Sequence, residues 1–124
     1  MKEATALLGL GLFDGAYYLA GYAVECGLEA CIAKGTARHE FPDKRRVDSS
    51  HSHNLRELVR VARLSDVLAE RIGKDPGFGL NWTVVQAWTE QSRYQKHHPD
   101  AAHTLVAAVG NRHHGVISWI KLHW

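Results

Sequence analysis

A formal net charge of only +2 over 124 residues does not by itself mark a nucleic-acid binder, although nine histidines would make the surface far more basic on mild acidification. A hydrophobic share of 45% against 23% charged residues places the chain, 1–124, as a single soluble globular domain, long enough to bury a core without staples. No run of about 18 apolar residues is free of charge, so no membrane span is expected, and the start MKEATALLGLGLFDG does not read as a signal peptide.

Residues 2–11 predict a short first helix, weakened at its end by Gly9 and Gly11. Asp14 is placed to cap the next helix, which runs from about Gly15 to Lys34 and is expected to stop at Gly35-Thr36. This second helix is nearly all small or apolar. Yet at about 100° per residue Tyr18, Tyr22, Glu25 and Glu29 fall within one narrow stripe. A carboxylate midway along such a helix must reach a partner or water, because burying it alone is costly. Gly15, Gly21 and Gly27 recur every six residues; each weakens the helix, a cost that close approach of a neighbour would offset. Cys26 and Cys31 point about 140° apart, so they cannot pair within the helix and read as small core residues in a reducing cytosol.

Residues 35–53 form a long polar loop, of a length that usually carries function. Its Lys44-Arg45-Arg46 cluster either contacts RNA phosphates or is simply solvated. A helix begins near Asn54, with Leu55, Leu58, Val59 and Ala62 on its apolar face and Arg56, Arg60 and Arg63 on the wet side. Ser65 and Asp66 restart a short helix through Ile72, which Gly73, Pro76, Gly77 and Gly79 are expected to break. Asn81 is expected to cap a helix through about Ser92, carrying Trp82, Val85 and Trp88. Pro99-Asp100 opens the last helix, and Gly110 and Gly115 allow a kink or break within it. No stretch alternates with the period of a strand. The expected fold is all-α, an antiparallel up-and-down bundle of four main helices plus one or two short ones.

The block GAYYLAGYAVECGLEACIAK, then EFPDK, then His53-Asn54-Leu55-Arg56-Glu57-Leu58, a tryptophan-rich segment ending in Ser92-Arg93-Tyr94, and a final GVISWIKLHW resemble the HEPN (higher eukaryotes and prokaryotes nucleotide-binding) domain family. Order and spacing are similar to those of its small stand-alone prokaryotic members, over essentially the whole chain. The resemblance implies a cytoplasmic four- or five-helix bundle that dimerises with a second copy and binds a nucleotide or RNA, without a cofactor. Many members are metal-independent endoribonucleases, often in toxin–antitoxin or defence systems, built on an R-x(4–6)-H motif. Others are non-catalytic partners or substrate-presenting subunits of a minimal nucleotidyltransferase.

Arg93 and His98 fit the motif. In the enzymatic version Arg93 steadies the charged phosphorane and His98 serves as acid or base. Arg45 or Arg46 with His51, and Arg46 with His53, fit the spacing too, so position in the fold must decide. Pro99 predicts His98 in a turn rather than inside a helix. Tyr18, Tyr22, Glu25, His51, His53 and Tyr94 complete the candidate ligand-binding surface. The tyrosines of the second helix either stack a base or are amphipathic core. Glu25 either orients Arg93 or a loop histidine, or contacts a ligand, or forms a structural salt bridge from the second helix to the tryptophan helix. His53 either faces the site or bonds locally, and Arg93 with Tyr94 either holds a phosphate and its base or merely ends a helix. The four tryptophans read as core or dimer interface. The pairs His51/His53, His97/His98 and His113/His114 lack a partner at ligand spacing, so no metal site is expected.

Overall fold

One long helix organises the chain. The computed structural model describes residues 1–38 and 53–124, so the Lys44–Arg46 cluster and His51 lie outside the described residues. Within them all regular structure is helical: α1 (Lys2–Gly9), α2 (Phe13–Arg38), α3 (Leu55–Val61), α4 (Ser65–Lys74), α5 (Pro76–Gln86), a 3-10 turn (Glu90–Tyr94), α6 (Pro99–Gly110) and α7 (Val116–Lys121). The 26-residue α2 packs against α1, α3, the 3-10 turn, α6 and α7. Ala16, Ala20, Val24, Leu28 and Ile32, four apart, are all buried along one line of it. No helix among the described residues is long and apolar enough to cross a membrane.

The recurring glycines of α2 are contact points. A Cβ at Gly21 would lie inside the Trp88 indole, and one at Gly27 would lie 3.0 Å from Ile120 Cγ2. Gly15 likewise meets Leu7 of α1 at 3.0 Å. The price in helix propensity is offset by neighbours that pack directly on the backbone. Cys31 is buried in this core, whereas Cys26 is exposed, contrary to the expectation of a core residue.

Several boundaries differ from those expected. Asp14 is not a cap but stands in the first turn of α2, where its carboxylate accepts a hydrogen bond from His97 N at 2.6 Å. Helix α2 continues past Gly35-Thr36 to Arg38. Helix α4 ends at Lys74, close to the expected break, but residues 76–79 start the next helix at once. Asp75 caps α5 by accepting from Phe78 N at 3.1 Å, with Pro76 preset in the first turn. Gly77 and Gly79 cost about 1 kcal/mol each in propensity, less than the burial of Phe78 and Trp82 returns. Asn81 therefore sits inside α5, and its Nδ2 donates to the His114 carbonyl at 2.9 Å. Helix α5 ends at Gln86 rather than Ser92, which frees Trp88 to turn onto Gly21.

The chain after α3 makes a Schellman turn. Leu64 N bonds to Val59 O and Arg63 N to Arg60 O, with Arg63 at φ 61° where glycine is usual. Helix α3 begins after Asn54 as expected, and Asn54 caps it by accepting from Glu57 N. The final helix is broken rather than kinked. Asn111 turns the chain, its side chain accepting from the backbone N–H of His113 and His114.

Candidate functional site

The stripe on α2 forms as the sequence predicts. Tyr18 and Tyr22, one turn apart, stack with centroids 5.8 Å apart, and Tyr18 leans on the buried Trp88 at 5.9 Å. The 3-10 turn that follows Trp88 brings Arg93 over the Tyr18 ring, with its guanidinium carbon 5.7 Å from the centroid and 5.1 Å from that of Tyr94. Tyr22 and Tyr94 are both exposed, Tyr94 to 75%. Tyrosine, arginine and tyrosine thus form one outward-facing ladder across two segments. The Tyr22 hydroxyl is drawn above its ordinary pKa, chiefly by a hydrogen bond with Cys26.

Glu25, two turns beyond Tyr18 on the same stripe, is 2% exposed. Its partner is His53, whose Nδ1 lies 2.5 Å from Oε1, while His53 Nε2 lies 3.2 Å from Glu90 in the 3-10 turn. The hydrogen bond to Glu25 raises the His53 pKa, and the negative charges of Glu25, Glu90 and Glu29 add to it against the opposing effect of desolvation. Of the roles open to Glu25, holding His53 ahead of α3 is the one observed. It does not pair with Arg93. The tie from α2 to the segment after the tryptophan helix exists, but runs through His53 to Glu90.

His98 is engaged elsewhere. It is the N-cap of α6, extended at φ −62° and ψ 142° ahead of Pro99, and its Nδ1 accepts from Asp100 N at 3.1 Å. That places it outside the helix body, as Pro99 predicts, but at an extended cap position rather than in a turn. Its partners and those of Arg93 are separate sets.

Comparison with protein-family models, with curated proteins and with solved structures gives no match.

Glu90 is a site residue that the sequence does not single out, and His97 is noticed there only as half of a histidine pair. His97 stacks face to face on Tyr17 at 3.8 Å and donates from Nε2 to the Ser92 carbonyl at 2.9 Å. It therefore pins the middle of the 3-10 turn to the start of α2, next to a cleft of about 340 Å³ lined by residues 11–15, Lys96 and His97. Burial raises the Tyr17 pKa. Glu90 carries a faint signal in retrospect: it stands three residues before Arg93, and residues three apart share a side of a 3-10 helix. Nothing in the spacing announces the His97–Tyr17 stack, because its partners are eighty residues apart in sequence.

A second acid–imidazole pair, Asp75 Oδ2 with His114 Nδ1 at 2.8 Å, ties the α6–α7 loop to the start of α5, with Arg71 Nε 3.6 Å from the same oxygen. Among the described residues no three His, Cys, Asp or Glu side chains are grouped to hold a metal ion.

The surface is chemically two-sided. At one end a cation lies among aromatic faces, suited to a phosphate beside a stacked base. At the other end carboxylates surround one histidine, which repels phosphate and favours hydroxyl donors.

Proposed function

We propose that this chain is a HEPN-like helical protein, an antiparallel bundle of four main helices that acts as a cytoplasmic homodimer and binds a nucleotide or RNA. The observation that carries the reading is the Arg93 guanidinium lying over both Tyr18 and Tyr94, beside the exposed Tyr22. A guanidinium over aromatic rings keeps N–H groups for phosphate oxygens, while each base stacked on a tyrosine adds about 1–3 kcal/mol. Such a module suits the HEPN component of a toxin–antitoxin or defence system, alone or beside a nucleotidyltransferase. A binding role has better support than cleavage by Arg93 and His98, since the His98 ring serves its own helix cap.

The test is a fluorescence-anisotropy titration with a labelled short single-stranded RNA at low salt, together with ATP. Arg93→Ala and Tyr94→Ala should each weaken RNA binding about tenfold, whereas Arg112→Ala, in the α6–α7 loop, should not. Equal affinity of wild type, Arg93→Ala and Tyr94→Ala would sink the proposal. Incubating the same RNA in EDTA separates binding from metal-independent cleavage. Cleavage lost in both Arg93→Ala and His98→Ala would replace the binding reading with the ribonuclease one.

A further inference from the structure

Both ring nitrogens of His53 face carboxylates, Nδ1 that of Glu25 and Nε2 that of Glu90. A neutral imidazole has one N–H and one lone pair. It can donate to one carboxylate only, and would set its lone pair against the other. The imidazolium alone satisfies both.

What the histidine joins is unequal. Glu25 is fixed in the middle of α2 and buried, so it cannot move away without leaving a charge in the core. Glu90 is one-third exposed and belongs to a five-residue 3-10 turn. That turn packs on α2, but few hydrogen bonds join it to the rest of the chain. Its bonds to the flanking chain are Ser92 N to Thr89 O and Gln95 N to Ser92 O, and the buried Ser92 hydroxyl has no hydrogen-bond partner. The His97 ring ties its middle through the Ser92 carbonyl. His53 ties its near end, on the side from which Arg93 also projects.

We propose that His53, as an imidazolium, is the positioning residue of the aromatic–arginine surface: bridging Glu25 to Glu90, it holds the turn that presents Arg93 and Tyr94, and it releases the Glu90 end when the proton leaves. The bridge stands on geometry alone; its effect on a ligand rests on the binding reading above.

The charges acting on His53 come from two segments: helix α2 supplies Glu25 and Glu29, and the 3-10 turn supplies Glu90. The first turn of α3, which follows His53 along the chain, carries Arg56 and Glu57, with Glu57 paired to Arg60. The acidic groups of α2 and the turn favour the cation, so the bridge persists past the pH at which an ordinary histidine is half-charged. As pH rises through the elevated value, Nε2 loses its proton, because Glu25 keeps the shorter bond to Nδ1. The turn then loses its anchor to α3 and α2, and Arg93 its fixed place over Tyr18.

The experiment titrates full-length protein, labelled for imidazole ¹⁵N and side-chain NMR, across the ordinary histidine pKa of about 6.5. His53 should keep both ring protons beyond that value, and the Arg93 Nε–H and Tyr94 ring signals should shift with the same midpoint. In parallel, binding of the labelled RNA should weaken about tenfold through that midpoint, the scale of one charge-assisted contact. Glu90→Ala gives the opposite-sign control. Removing an acidic charge beside an RNA site ordinarily strengthens binding, whereas loss of the bridge predicts binding weaker by about tenfold below the His53 midpoint and little pH dependence. His53→Gln should remove the pH dependence in the same way.

A His53 that titrates at or below the ordinary value, or Arg93 and Tyr94 signals indifferent to it, overturns the proposal. So does Glu90→Ala binding more tightly than wild type. If no RNA binds at any pH while Arg93 and Tyr94 still follow His53, the bridge is supported and the binding reading falls instead.

Discussion

Replacing Gly21 with alanine tests the packing that places the candidate site. Alanine is the better helix former, and in an open helical position the change gains about 1 kcal/mol. Gly73, in α4 with nothing near its missing Cβ, is such a position, and Gly73→Ala should be stabilising by that amount. At Gly21 the new methyl would occupy the space of the Trp88 ring itself, at the ring-fusion atoms rather than at a free tip. Trp88 is 1% exposed and wedged against Tyr18, so its ring must leave its seat. Losing a buried tryptophan contact costs about 3–5 kcal/mol, so after the propensity gain Gly21→Ala should be destabilised by about 2–4 kcal/mol. The assay is urea unfolding followed by far-ultraviolet circular dichroism, with tryptophan fluorescence reporting Trp88. The two alanine variants should move the midpoint in opposite directions. A Gly21→Ala protein as stable as wild type would refute the claim that Trp88 packs on bare backbone.

Three further outcomes follow from other parts of the molecule. Arg63 occupies a left-handed backbone position, so Arg63→Gly should be stabilising by about 1 kcal/mol in the same urea assay, and Arg63→Val should be destabilising. Because the His53 pKa is raised in the folded chain, its contribution is complete below the unfolded value of about 6.5 and is lost as pH rises through the folded one. The stability gap between wild type and His53→Gln should therefore be widest on the acid side, and a gap that widens toward alkaline pH contradicts the bridge. Asp75 is shifted the other way, held low first by its bond from His114 and then by its cap to Phe78 N. Asp75→Ala should cost about 1 kcal/mol at neutral pH, and the difference should disappear as acid protonates the wild-type carboxylate below its folded value.

How much of this was legible depends on how far apart the interacting residues lie. The α2 stripe of Tyr18, Tyr22 and Glu25 follows from helical period alone, because all its members belong to one element. The exclusion of His98 from the helix follows from Pro99, a rule that acts on the neighbouring residue. Asn54 announces the start of α3 for the same local reason. The run from Gly73 to Gly79 is half legible: glycine and proline signal the break that falls at Asp75, but Asp75 also supplies a cap and Phe78 and Trp82 an apolar anchor, so a new helix starts at Pro76 despite its glycines. Asp14 misleads, since its carboxylate is claimed by His97 from the other end of the chain. The Glu25–His53–Glu90 bridge is half legible. A buried glutamate demands a partner, and the loop histidine was among those it could reach. Glu90 enters only through the path of the chain after Trp88, which no local pattern encodes.

The spacing of Gly15, Gly21 and Gly27 also sets how α2 can move. Six residues turn a helix through about 600°, so successive glycines face directions about 120° apart. Leu7, Trp88 and Ile120 enter these three notches from three sides, as wards enter a key. Sliding α2 by one residue would rotate it by about 100° and drive a side chain against all three at once. Twisting it in place meets the same obstruction. The helix that carries Tyr18, Tyr22 and Glu25 is therefore locked in both rotation and register, and any adjustment to a ligand must fall to the short turn bearing Arg93 and Tyr94.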